Sequence, residues 1–477
     1  MASAKDQFGE TSGKPIRCRA AVARKPGEPL VIEEVIVAPP KSGEVRIKII
    51  CTSLCFSDVT FWKLKDPPAF YPRILGHESV GVVETVGEGV DGFAEGDVVI
   101  PVFVSECAEC ADCKSNKSNL CSTYPFKVSP WMHDGSSRFT DLNGETIYHF
   151  LSVSSFTEYT VVHVANITRV DRTVPPDRVC LLSCGVSTGV GAAWRSANVE
   201  AGSTVAIFGL GSIGLAVAEG SRLCGARRII GIDVNPDKFE IAKSFGVTDF
   251  VDSSNVGDKS VSQIINEMTG GGADYCFECV GKAFLVEEAF ACCRKGWGKT
   301  IVVGVDKPGA RISFSSSEVL HLGKTIQGSL FGGLKPKSDI PILIKRYIDK
   351  ELELDKFVTH ESSDEEQGGE KKKKKKGLKK EKSSGEKEEG TGATEKYDDI
   401  PVPEPDRKKG LLDKIKEKLP SGKTTDEVAV PPQKPEIVDC GATVVGKEKK
   451  GLLNKIKQII PGYNARSADE NGKEACN

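Results

Sequence analysis

The sequence predicts an α/β chain in which a mainly-β part is followed by a doubly wound parallel sheet and then by a disordered tail. Three observations predict this. From Arg17 to about Val164, short β-runs alternate with turns rich in Gly and Pro. From Ser203, buried strands alternate with helical stretches. From residue 361 the composition changes: 50 of the last 117 residues are charged and none is Phe or Trp, against 82 charged of the preceding 360. The last stretch has too little apolar area to offset its chain entropy.

In the first part, EVRIKII (44–50), SVGVVETVG (79–87) and DVVIPVFV (97–104) read as strands. Between them and the next strands lies C-x2-C-x2-C-x7-C, formed by Cys107, Cys110, Cys113 and Cys121. A tetrahedral zinc takes four deprotonated soft ligands, and one loop returning on itself supplies them all, so a structural zinc site is expected. The chain has 16 cysteines, but its first residues, MASAKDQFGETSGK, lack the apolar stretch of a secretory leader. Thiols that serve metals in a reducing cytoplasm are therefore expected, not disulfides. No run of eighteen apolar residues suggests a membrane span. The net charge of −2 gives no bias toward nucleic acid.

In the second part, TVAIFGLG leads into IGLAVAEGSRLCGA, then RRIIGIDVN, PDKFEIAKSFG, TDFVD, GGADYCFECVG and KTIVVGV. The turn Gly209-x-Gly211-x-x-Gly214 joins the first strand to the first helix. Glycines there let the backbone approach a pyrophosphate at a helix N-terminus. Asp233 stands 19 residues after Gly214 at the end of the next strand. A carboxylate at that place accepts hydrogen bonds from ribose hydroxyls and repels a 2′-phosphate, which favours NAD over NADP.

Cys55 in TSLCFSD, His77 in LGHES and Cys184 in LLSCGVSTGVGAAW are each unremarkable alone, since a lone buried Cys acts as a small hydrophobe. Together they form a Cys2His set, which leaves a fourth zinc position open. With LCFSD, LGHE, the four-cysteine loop, FGLGSIGLAVAEG, FECVG and GSLFGG in order, residues 15–360 resemble the zinc-dependent medium-chain alcohol dehydrogenases, particularly the plant members. The resemblance implies a GroES-like catalytic domain over 1–185, a Rossmann NAD-binding domain over 186–326 and a return segment over 327–360. It makes Cys55, His77 and Cys184 ligands of a catalytic zinc, with a second zinc in the four-cysteine loop. Glu78 assists ligand exchange, Asp58 orients His77, and Ser57 begins the proton relay. Thr188, Val303 and Phe331 line the nicotinamide end, and Lys238 helps hold the adenosine ribose. The implied reaction is zinc- and NAD-dependent interconversion of alcohols with aldehydes or ketones, in a homodimer. Phe61, Trp62 and Tyr124 suggest an apolar substrate pocket.

The resemblance also has departures. Phe56 replaces a basic residue that the family places near the pyrophosphate, and Thr60 replaces a relay His. After residue 361 the family continues with a helix and final strands that return to the catalytic domain. Here the chain turns into SSDEEQGGEKKKKKK. Their loss would expose apolar surface and sheet edges.

The tail, 361–477, holds a repeated frame, K-K-G-L-L-x-K-I-K-x-x-I/L-P, at 407–420 and 448–461. On a helix, Leu411, Leu412, Ile415 and Leu419 gather on one side, as do Leu452, Leu453, Ile456 and Ile460. Each stretch is too short to be helical alone in water but suits an anionic lipid surface. These segments resemble the lysine-rich repeats of dehydrins, and Ser362-Ser363-Asp-Glu-Glu resembles a shortened dehydrin serine tract. The block Lys371–Lys376 reads as a solvated charge run, with nuclear import or an anionic surface as the other readings. Two function classes follow. One is an active dehydrogenase with a stress-protective tail; the other is a dehydrin-type protectant carrying a truncated, inactive body.

Overall fold

The computed structural model describes residues 11–66, 69–358 and 464–465. The repeats, the six-lysine block and the serine tract lie outside the described residues.

Two antiparallel sheets build the first part. One has the order β4-β1-β2-β7-β8, with β1 Ile16–Ala23, β2 Val31–Val37, β4 Arg73–Ile74, β7 Phe139–Thr140 and β8 Thr146–Ile147. The other has the order β10-β6-β5-β3, with β3 Glu44–Leu54, β5 Glu78–Val86, β6 Val98–Pro101 and β10 Ile167–Arg169; β9, Tyr159–His163, also pairs with β3. Strand β17, Asn464–Ala465, pairs with β3 at Ser53 and Leu54, past the stretch paired with β9, so two residues assigned to the tail by sequence belong to this sheet. The core between the sheets is aliphatic and aromatic, including Val35, Ile47, Val83, Phe139 and Phe156. Within it Arg46 is fully buried against Glu84 at 2.6 Å and also donates to the Thr11 and Lys14 carbonyls.

His149 is buried in the same part, where its Nε2 accepts the Arg138 N–H at 3.1 Å. Burial, with the Arg138 and Arg73 charges nearby, holds it down to about 3. An unfolded His titrates near ~6.5. Below that pH the unfolded chain takes a proton that the native state refuses, so stability falls as pH drops from 6.5 toward 3. We expect about 2 kcal/mol of this loss between pH 7 and 5. The acceptor-retaining His149→Gln should remove it, which urea unfolding of both proteins at the two pH values would measure; parallel curves would refute the assignment.

The second part is a six-stranded parallel sheet of order β13-β12-β11-β14-β15-β16. Its strands are β11 Thr204–Phe208, β12 Arg228–Asp233, β13 Asp249–Asp252, β14 Tyr275–Glu278, β15 Lys299–Val302 and β16 Thr325–Gly328. Each predicted strand segment contains a strand, although β6 ends at Pro101, short of the predicted 104. The apolar runs VAIF and YCFE are buried on both faces, as a helix-covered parallel sheet requires. At the far edge β16 is exposed along its whole length, next to the exposed helix Ser316–Leu322.

Candidate metal centre and dinucleotide turn

Antiparallel pairing sets Ser53 opposite Glu78, which brings the end of β3 to the start of β5. Cys55 follows β3 and caps the helix Phe56–Lys63, while His77 directly precedes β5. Cys184 reaches the same place from the short helical run that begins at Pro176 and caps the helix Gly185–Gly191. One ligand atom each from Cys55, His77, Glu78 and Cys184 lies within 4.8 Å of all the others, and all four residues are buried. His77 Nε2 is 3.3 Å from Cys184 Sγ. Tetrahedral zinc with bonds of ~2.0–2.3 Å needs ligand atoms roughly 3.5–3.8 Å apart, so these donors fit the ion.

The surroundings orient this set. His77 Nδ1 pairs with Asp58 Oδ1 at 3.0 Å, which leaves Nε2 as the metal-facing nitrogen. Asp58 also accepts N–H bonds from Cys55 at 2.9 Å and Gly76 at 3.0 Å. Burial raises the Asp58 pKa. Burial works against charging His77, yet the Asp58 and Cys55 charges outweigh it and raise the imidazole well above its usual range. A cation among these ligands reverses that balance and favours neutral imidazole. Glu78 accepts from the Gly185 N–H at 3.1 Å and from the Ser53 hydroxyl.

Cys107, Cys110, Cys113 and Cys121 form the second group, again with all ligand atoms within 4.8 Å of one another. Sulfur separations of 3.8 Å (Cys107–Cys113) and 4.0 Å (Cys110–Cys121) are close to the edges of a zinc tetrahedron. The N–H groups of Cys110, Cys113 and Tyr124 each point at a sulfur at 3.3 Å. The Ser122 side chain and the Cys113 N–H bring Cys110 down to about 5, whereas burial pushes Cys113 up to about 12. Four thiolates side by side need a divalent charge, and zinc fits that need. The loop is fastened to the rest of the body: Lys335 Nζ donates to the Cys113 and Ser115 carbonyls, and Asn119 Nδ2 to those of Leu330 and Leu334.

At the dinucleotide turn Gly209 has φ +90°, and a Cβ on Gly214 would stand 1.8 Å from the Gly209 carbonyl oxygen. Those two glycines serve the turn itself. Gly211 differs, since a Cβ there would meet nothing within 4 Å, so the space beside the start of the helix Ser212–Leu223 is open. That opening fits a pyrophosphate at a helix N-terminus. Asp233 ends β12 with one carboxylate oxygen on the Leu210 N–H at 2.7 Å and 3.3 Å from Lys238 Nζ.

The remaining expected residues are placed as follows. Ser57 lies in the first turn after Cys55. Thr188 sits one turn after Cys184, its N–H on the Cys184 carbonyl at 2.8 Å. Val303 follows β15, with its N–H on the Glu278 carbonyl. Phe331 is buried at φ +51° and meets the Phe103 ring edge-on at 5.5 Å. Phe56 is 61% exposed, and Thr60 is engaged with the Phe56 carbonyl. Of the three suggested pocket residues, Phe61 packs on Phe150, itself 5.6 Å from the His77 ring. Trp62 is instead buried, with its Nε1–H on the Glu28 carbonyl, and Tyr124 packs against His133 and His163. Ser53, Phe103 and Phe150 border the cluster without any sequence signal, because only tertiary pairing brings them there.

Comparison with known proteins agrees with this geometry. Residues 41–172 match the alcohol dehydrogenase GroES-like domain, residues 212–348 the zinc-binding dehydrogenase family, and residues 405–464 the dehydrin family. The chain is 68% identical over 354 residues to alcohol dehydrogenase-like 7 of Arabidopsis thaliana, covering 74% of this chain and 91% of that protein. It is 49% identical over 352 residues to alcohol dehydrogenase class-3 of rice, Oryza sativa subsp. japonica, covering 73% and 92%. Benzyl alcohol dehydrogenase from Acinetobacter calcoaceticus superposes with a TM-score of 0.66 at 28% identity, over 72% of this chain and 92% of that one. With both metal-fitting clusters and the glycine turn in place, residues 15–360 make this chain a member of the zinc-dependent alcohol dehydrogenase family, joined to a dehydrin segment.

Proposed function

We propose that the body interconverts alcohols with aldehydes or ketones and uses two zinc ions and NAD. The convergence of Cys55, His77, Glu78 and Cys184 in a buried cluster carries this reading. Cys55, His77 and Cys184 would hold the catalytic zinc, and the four-cysteine loop a structural one. Once bound, zinc supplies a Lewis acid toward a substrate oxygen, and NAD supplies a hydride acceptor. The chain's own residues do the rest. Asp58 keeps His77 in one tautomer. Ser57 takes the hydroxyl proton of an alcohol substrate and passes it outward. Glu78 would assist ligand exchange at the zinc. Thr188, Val303 and Phe331 would border the nicotinamide, and Asp233 with Lys238 would hold the ribose and reject a 2′-phosphate. The test is turnover of NADH and NADPH with a panel of aldehydes, alongside zinc analysis. We expect two zinc ions per chain and at least about tenfold preference for NADH, since a charge repulsion of about 1.4 kcal/mol suffices for that. A zinc-loaded chain that oxidises no NADH with any aldehyde would leave the protectant with an inactive body.

Two further roles belong to this reading. The exposed β16, with its Ile326 and the nearby Leu320 (40% and 76% exposed), suits the same edge of a second copy, which sedimentation analysis would show as a dimer; a monomer at all concentrations would refute it. The dehydrin match supports a stress-protective tail that binds anionic membranes. Leu412→Glu with Leu453→Glu should abolish helix induction on anionic vesicles, and undiminished induction would sink that role. The setting proposed is the cytoplasm, where thiols that serve metals stay reduced.

A further inference from the structure

The two sides of β3 are served unequally. One side pairs with β5 from Val45 to Ser53. The other pairs with β9 only from Glu44 to Lys48, after which the Ile49 N–H goes to the Glu158 carbonyl at 2.9 Å. From there β9 no longer accompanies the strand, although Ser53 is fully buried and Leu54 is 6% exposed. A buried strand edge without a partner leaves amide groups unpaired, and an open one is a template for another strand. The place is taken by β17, parallel to β3, with Asn464 opposite Ser53 and Ala465 opposite Leu54.

We infer that the distal end of β3 is a docking edge for the chain's own segment Asn464–Ala465, so that the dehydrin segment is tied to the enzyme at both ends. The occupant is intramolecular. The described residues run to Val358 and resume at Asn464, with 105 residues of sequence between. The entropy of closing such a loop rises only logarithmically with its length, so this long span does not forbid the return. Strand addition of this kind draws its affinity from main-chain hydrogen bonds, which ask little of side-chain identity.

The position gives the docking a consequence. Leu54 directly precedes Cys55, and Ser53 donates its hydroxyl to Glu78. The added strand therefore braces the stretch of backbone that carries one thiol of the metal-fitting cluster and the partner of its carboxylate. The second lysine-rich repeat ends at Pro461, three residues ahead of Asn464. Whatever engages that repeat is thereby linked to the zinc cluster through a few residues of chain.

The experiment uses the full, zinc-loaded chain and the variant Asn464→Pro/Ala465→Pro, whose missing N–H groups cannot join a ladder. Hydrogen exchange followed by mass spectrometry should show peptides spanning 50–55 exchanging at least tenfold faster in the variant, with those of β11 and β14 unchanged. Release of zinc to a chromogenic chelator should become several-fold faster for one ion per chain and stay unchanged for the other. Equal exchange at 50–55 in both proteins would overturn the docking. Protection at 50–55 that grows with protein concentration would overturn its intramolecular form, since the strand would then come from a second copy.

Discussion

Cys184→Ser is expected to lose one zinc per chain and about a thousandfold in turnover, while the fold stays intact. The magnitude follows from what is removed. A Lewis acid contributes several kcal/mol of transition-state stabilisation, and each ~1.36 kcal/mol is a factor of ten in rate. Cys184 enters the cluster from a different segment than Cys55 and His77, so its loss leaves only one thiol and one imidazole beside Glu78. The pairing of β3 with β5 does not depend on it, and the hydrogen bonds of Asp58 to Cys55, Gly76 and His77 remain. The check is metal analysis with NADH turnover, supported by a circular dichroism spectrum. A variant that kept both zinc ions and full turnover would remove Cys184 from the site.

Cys113→Ser should do the opposite, acting on stability first and on activity as a result. Structural zinc contributes folding free energy directly, with apparent binding of about 10–16 kcal/mol in zinc-finger peptides. A whole protein has only ~5–15 kcal/mol in hand. A loss of about 4 kcal/mol on losing one thiolate would lower the Tm by roughly 5 °C in a body of this size. Activity should fall as well, because the loop is fastened through Asn119 to the carbonyls of Leu330 and Leu334, which flank Phe331. Thermal unfolding with and without a chelator would measure the first effect. A variant that is insensitive to chelator but as stable as the parent would show that the loop needs no metal.

These expectations were legible in the sequence to unequal degrees. The four cysteines and the glycine turn announce themselves because their geometry is local: spacing alone decides whether thiols can share an ion or a carbonyl can clear a helix. Gly214 illustrates it, since even one added carbon collides with Gly209. Cys55, His77 and Cys184 are far apart in the chain, and only the family resemblance joined them before the fold did. The partners of Glu78 were not legible, because Ser53 and the Gly185 N–H reach it through strand pairing and a helix start on separate segments. Neither was the fate of Trp62, whose aromatic ring suggested a pocket lining but is spent on the core and the Glu28 carbonyl. At the end of β3, an edge that a missing return segment would leave open is taken by Asn464–Ala465. Nothing in the pattern of those two residues marks them as a strand.

The bare rim at β16 carries a cost during synthesis and heating. All four residues of that strand are exposed, Ile326 among them, and so is the nearby Leu320. While that edge stays uncovered it is a template for pairing with another chain, so aggregation on heating would start there even where every catalytic group is sound.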